Sequence, residues 1–139
     1  MRNRALFVVL TLTLATSAIP QQPPAAKQAT DLLAQIKGKE NLPAGEVFKN
    51  VTVLKNIPAA RFLRIMDQGW SRALGVPCEH CHVESRWEAD DLRPKRAARE
   101  MALLTAELNQ KLGKMENLDG EAVVNCATCH RGEVTPATK

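Results

Sequence analysis

Cys78-Glu79-His80-Cys81-His82 and Cys126-Ala127-Thr128-Cys129-His130 decide how this chain is read. Each pentapeptide has the form C-x-x-C-H, the attachment signature of c-type haem. The two thiols form thioethers to the vinyl groups of the ring, and the His that follows offers an axial nitrogen to the iron. All four cysteines of the 139 residues lie in these motifs, so a disulfide would dismantle one of them. The spacing predicts two covalent haem c groups, held by Cys78, Cys81, Cys126 and Cys129, with His82 and His130 as axial iron ligands.

Two other readings compete. Paired C-x-x-C motifs also build zinc ribbons, but a four-thiolate site needs neither trailing His, and 44 residues separate the pairs. A thioredoxin-type dithiol would be expected once, at a strand-helix junction. Haem is the reading that uses all six residues.

The N-terminus predicts export. Arg2 and Arg4 form a basic start, Ala5 to Leu14 is apolar apart from Thr11 and Thr13, and Thr16-Ser17-Ala18 is small enough for cleavage. Residues 1–18 therefore read as a signal peptide, with an uncleaved membrane anchor as the alternative. The run is short for a membrane span, and no Cys follows it to carry a lipid. The leader removes two arginines and no acid, so the net charge of +4 falls to +2. Haem propionates bring the loaded chain near neutral. No basic patch interleaved with aromatics is present, so nucleic acid is not an expected partner. Tyr is absent, and only Phe48, Phe62, Trp70 and Trp87 remain as large aromatics beyond the leader. So small a domain with so few bulky side chains has little to bury. The haems are expected to complete its core, leaving the apoprotein poorly folded.

The fold class expected is mainly α: two helix–loop–C-x-x-C-H units packed around two haems. Residues 19–45 read as a flexible leader and a short helix, Leu32 to Lys37, capped by Thr30-Asp31 and ended by Gly38. Pro43 to Gly45 reads as a turn and Val47 to Leu54 as extended. Pro58 opens a helix to about Leu74, with Gly75 as its stop. Residues 83 to 92 form an acidic, aromatic connector. Pro94 opens the longest helix, to Leu112, with Ala97, Met101, Leu104, Leu108 and Leu112 on one buried face. The dihaem domain spans 46–132, and 133–139 reads as a frayed tail.

The opposite face of each iron needs a ligand or stays open. The chain has three His, and the motifs use two. Only His80 is spare, and it is pinned inside the first attachment loop, so two bis-His haems are impossible within one chain. Met66 lies twelve residues before Cys78, on the Pro58 helix with Phe62, Ile65, Gly69 and Ala73; Gly69 leaves room for a flat ring. Met101 lies 25 residues before Cys126, within the long helix. Both could simply fill the core, but their places ahead of the motifs favour them as sixth ligands over Met115, beyond Gly113. Thioether ligation raises the reduction potential of haem iron. His80 reads as a polar surface residue, with a propionate hydrogen bond or ligation as the alternatives.

Several stretches resemble the cytochrome c subunit of photosynthetic reaction centres. They are Val47-Phe48-Lys49-Asn50-Val51, Arg61-Phe62-Leu63-Arg64-Ile65-Met66 and Leu74-Gly75-Val76-Pro77. In the second half they are Ala98-Arg99-Glu100-Met101, Leu108-Asn109 and Val124-Asn125 into Cys129-His130-Arg131-Gly132. The resemblance covers about residues 46 to 132. It implies a half-length member of a tetrahaem family, with Met66 and Met101 as sixth ligands. The helical His that the family uses on one haem has no counterpart here.

The function expected is single-electron transfer between redox protein partners in the periplasm, with a membrane complex as one candidate partner. Six-coordinate iron admits no small-molecule substrate, so an enzyme is not expected. A haem enzyme with a displaceable sixth ligand and a haem-bearing structural subunit are the alternatives.

Overall fold

The computed structural model describes residues 25–118 and 122–136. The expected leader and its cleavage site lie outside the described residues. The described chain is mainly helical: α1 (Ala25–Gln35), α2 (Ala44–Val47), α3 (Ala59–Arg64), α4 (Arg72–Leu74), α5 (Arg93–Leu112) and α6 (Cys126–His130). A π-helical segment, Ile65–Ser71, joins α3 to α4, and Cys78–His80 forms a 3₁₀ turn. Among the described residues there is no strand, only two isolated bridges, Pro43 to Pro58 and Val83 to Arg86.

The N-terminal helices hold what apolar core the protein makes by itself. Ile36, Ala59 and Leu63 are buried, with Leu32, Leu33, Val47 and Phe48 packed on them. Phe48 and Phe62 meet at a centroid distance of 5.7 Å. Burying a side chain such as Leu63 stabilises by about 1.5–3 kcal/mol. Helix α1 begins earlier than its sequence suggested: Thr30 and Asp31 lie within it, and Asp31 pairs with Lys27 one turn back at 2.8 Å.

Two prolines organise the loop between α1 and α3. Pro43 and Pro58 stand at the N-caps of α2 and α3 with nearly the same backbone angles, and they pair across an antiparallel bridge. The alanine after each is wholly buried. Backbone bonds from Ala44 to Ile57 (2.8 Å), Gly45 to Lys55 (2.9 Å) and Ala59 to Leu42 (2.9 Å) close the loop. Residues 47–54 are therefore not extended as expected. Val47 ends α2, and Asn50 and Leu54 adopt left-handed turns with φ 59° and 58°. The β-branched pattern lost to this network of turn hydrogen bonds.

The Pro58 helix runs to Leu74 as expected and stops at Gly75, left-handed with φ 67°. Its middle is not regular, however. A π-helical stretch of seven residues contains Met66 and Gly69, and such segments occur frequently at functional sites. The α-helical spacing used to group Phe62, Ile65, Gly69 and Ala73 with Met66 therefore does not hold there. Gly75 then ties the two halves together. A Cβ at Gly75 would lie 2.1 Å from the Gly132 carbonyl oxygen, and the Gly132 N–H donates to Ala73 O at 2.8 Å. The approach to the first motif thus touches the exit of the second.

Candidate functional site

The second motif folds as one turn of helix, because Asn125 and Thr128 form a capping box. The Asn125 side chain accepts from the Thr128 N–H (3.2 Å), and the Thr128 hydroxyl accepts from the Asn125 N–H (3.0 Å). This satisfies two amides that the helix start would leave unpaired. The turn is held to α5 from the other side. Asn109 donates to Val124 O (2.9 Å) and accepts from Val124 N–H (2.7 Å), which fixes the strand of chain entering the motif.

The structure brings Cys126, Cys129, His130 and Met101 into one cleft of about 220 Å³ between α5, α6 and the Trp70–Leu74 stretch. His130 is buried, and its Nδ1 meets Glu133 O at 3.0 Å. With Nδ1 as donor, Nε2 is left to face a metal. Glu133, expected to begin a frayed tail, thus fixes the orientation of a motif histidine. The α5 stripe is not a buried protein face as expected: Met101 is 42% exposed, Leu104 44% and Leu108 41%. These residues form the apolar wall of the cleft. Two thiols, an imidazole nitrogen and a thioether around a mostly apolar wall fit a flat, iron-bearing macrocycle. Met115 is 55% exposed and lies outside the cleft lining.

The first motif is built differently. Cys78, Cys81 and His82 are half-buried beyond Gly75, and Met66 is half-buried in the π-helical segment. Met66 and His82 do not line the second cleft, whereas His80 and Cys81 do. His82 Nδ1 meets Trp87 O at 2.9 Å, the same arrangement as at His130, and the Trp87 ring stands 5.7 Å from the imidazole. Burial above all pushes the His82 pKa below its ordinary value; Lys95 and Arg99 add to this, while the Trp87 carbonyl and Asp90 oppose it. A neutral imidazole is the form that binds iron.

The connector is anchored by ion pairs. Asp90 pairs with Arg99 (2.8 Å) and Lys95 (3.3 Å), and Arg99 also reaches Asn50 O (2.9 Å). Arg99, then Asn50 and Lys95, hold the Asp90 carboxyl well below the usual carboxylate range. Sequence reasoning missed Lys95, the Trp87 and Glu133 carbonyls and the clamp made by Asn109. Backbone acceptors leave no trace in side-chain pattern. The Asn125-x-x-Thr128 cap was visible in principle as a helix-start pair.

The thiols do not resemble those of a reactive dithiol or a zinc site. Burial pushes Cys78, Cys81 and Cys126 up from the ordinary thiol value, and at Cys78 the charges of Glu79 and Asp67 push the same way. Reactive dithiol cysteines sit in surroundings that do the opposite. A zinc ribbon needs four sulfurs at one point, and among the described residues no group of three or more His, Cys, Asp or Glu side chains converges that way.

The chain resembles known proteins over most of its length. Residues 13–139 match the family model for the photosynthetic reaction centre cytochrome c subunit. The reaction centre cytochrome c subunit of Roseobacter denitrificans is 36% identical over 106 residues, covering 73% of this chain and 28% of the relative. That of Thermochromatium tepidum is 36% identical over 96 residues, covering 67% and 22%. Cytochrome c-554 of Chloroflexus aurantiacus is 38% identical over 82 residues, covering 58% and 20%. The chain thus spans about a quarter of the length of the curated relatives it matches. By the match over nearly its whole length, the chain belongs to the family of the photosynthetic reaction centre cytochrome c subunit.

Proposed function

We propose that this chain is an exported electron carrier that holds two haem c groups and passes single electrons between redox proteins. The observation that carries the reading is one cleft lined both by the second attachment motif, with Met101, and by Cys81 and His80 of the first. A ring attached through Cys81 would lie beside a ring attached through Cys126 and Cys129. Short separation is what electron passage between two centres needs.

Haem c supplies a one-electron ferric/ferrous couple when bound. The residues would divide the work as follows. Cys78 and Cys81 would anchor the first haem, with His82 and Met66 as the residues that would hold its iron. Cys126 and Cys129 would anchor the second, with His130 and Met101 in the same roles. The Trp87 and Glu133 carbonyls hold the two imidazoles in the tautomer that presents Nε2. The stripe Ala97, Leu104 and Leu108 excludes water from one side of the second ring. With both faces of each iron filled, no substrate reaches the metal, which favours a carrier over an enzyme.

In this reading residues 1–18 are a leader removed on export and 46–132 form the dihaem domain, which Glu133 extends by its contact with His130. No helix among the described residues is long and apolar enough to cross a membrane. Two relatives are named as subunits of photosynthetic reaction centres, and we infer redox protein partners for this chain, a membrane-bound complex among them. A redox titration of the holoprotein tests the proposal. Two reversible one-electron steps, with no carbon monoxide binding to the ferrous protein, are expected. An iron that binds carbon monoxide at once and turns over peroxide would point to an enzyme instead.

A further inference from the structure

Lys95 is one of the two buried polar side chains of the described protein, only 8% exposed, and the other is the motif residue His130. An ammonium group is costly to bury unless all its protons are bonded. Lys95 donates to two carbonyls, Trp87 O at 2.8 Å and Ala89 O at 2.7 Å, and its charge is paired with Asp90 Oδ1 at 3.3 Å. The first of these is the carbonyl that also meets His82 Nδ1, at 2.9 Å. A buried cation and an imidazole N–H thus share one oxygen.

That sharing has a consequence for the iron. The acceptor on the distal nitrogen of a ligating His sets how much electron density the ring gives to the metal. A cation on the same carbonyl makes that oxygen a weaker acceptor, so the His82 Nδ1–H is polarised less and the ring is a poorer donor to iron. Ferric iron is stabilised less, and the ferrous state gains. The charge itself acts in the same direction. Asp90 opposes it, but that carboxylate is divided between Lys95 and Arg99 (2.8 Å), so the cluster keeps a net positive charge beside the first motif. At the second motif the equivalent carbonyl, Glu133 O, bears no bonded side-chain cation among the described residues.

We propose that Lys95 is a positioning residue that raises the reduction potential of the haem on the first motif, acting through the Trp87 carbonyl and His82. The inference rests on His82 being an axial ligand of that haem. A purely structural lysine would brace the connector and leave the potentials alone.

The test uses the dihaem holoprotein and reads each haem's potential by spectroelectrochemistry, with the two haems told apart by their hyperfine-shifted resonances. Lys95→Gln keeps a donor and loses the charge. It is expected to shift the first haem's ferric/ferrous equilibrium at least tenfold toward ferric, about 59 mV for a one-electron couple, with the second haem unmoved. Lys95→Arg restores the wild-type value. Asp90→Asn, which keeps the size of the side chain and an acceptor oxygen, frees the Lys95 charge and moves the first potential upward. An unmoved first potential in Lys95→Gln, equal shifts at both haems, or a fall in Asp90→Asn overturns the proposal. If the Gln variant does not accumulate, the sign of the Asp90→Asn shift decides alone. Unshifted His82 ring resonances in the ferric wild type would instead remove the ligand assignment, and the role of Lys95 with it.

Discussion

Single atoms decide much of this structure. Gly75 carries φ 67°, and a methyl group there would lie 2.1 Å from the Gly132 carbonyl. Gly75→Ala must either rotate the backbone or part the contact between the two motif units. We expect a loss of at least about 1–3 kcal/mol, the usual cost of a strained backbone, read as a lower thermal midpoint of the holoprotein. Gly132→Ala should cost less, because φ 92° is strained for alanine but its Cβ would meet nothing within 4 Å. Equal losses would contradict the steric part of the argument. The sixth ligands are tested at the same scale. Met66→Leu and Met101→Leu should each remove the far-red sulfur-to-iron band of one haem, lower that haem's potential and open its iron to cyanide. Met115→Leu, at an exposed turn residue, should change stability by no more than about 0.5 kcal/mol and leave both bands. Loss of a band in Met115→Leu with retention in Met101→Leu would reassign the second ligand.

At the scale of elements, the long helix α5 carries the second cleft, and Asn109 couples it to the motif. Asn109→Ala strips both partners from the Val124 backbone, 2.7 and 2.9 Å away. The expected cost is about 1–3 kcal/mol, that of leaving partly buried polar groups unpaired, together with a perturbed spectrum of the second haem only. A variant with wild-type stability and spectrum would show that α6 is held by its capping box alone. The helices that precede the motifs were legible in the sequence because proline starts and glycine stops bracket them: Pro58 to Gly75 and Pro94 to Gly113. What escaped was set by contacts between distant residues. The loop of residues 47–54 is closed by backbone bonds from Ala44 and Gly45 to Ile57 and Lys55, which no local pattern announces. The π-helical turn around Met66 preserves the helix direction while changing its register, and periodicity cannot see that. Lys95 reads on a helical wheel as one more surface charge, yet it is buried where two backbone carbonyls and the Asp90 carboxylate converge on it.

For the whole molecule, the protein's own core is small. Among the described residues it centres on Ile36, Ala59 and Leu63, and no large side chain is fully buried. Exposed apolar side chains of α5, Met101, Leu104 and Leu108, line the cleft beside the second motif. The apoprotein is therefore expected to keep helical circular dichroism but to unfold with a broad transition, while the holoprotein unfolds sharply and at higher temperature. A sharp apoprotein transition close to that of the holoprotein would mean that the haems are guests in a finished fold. The account as a whole depends on two rings bonded to one chain through Cys78, Cys81, Cys126 and Cys129. The most direct test is the intact mass of the protein produced with cytochrome c maturation and then fully denatured. It should equal the processed polypeptide plus two haems; the polypeptide mass alone, or with one haem, would contradict the account.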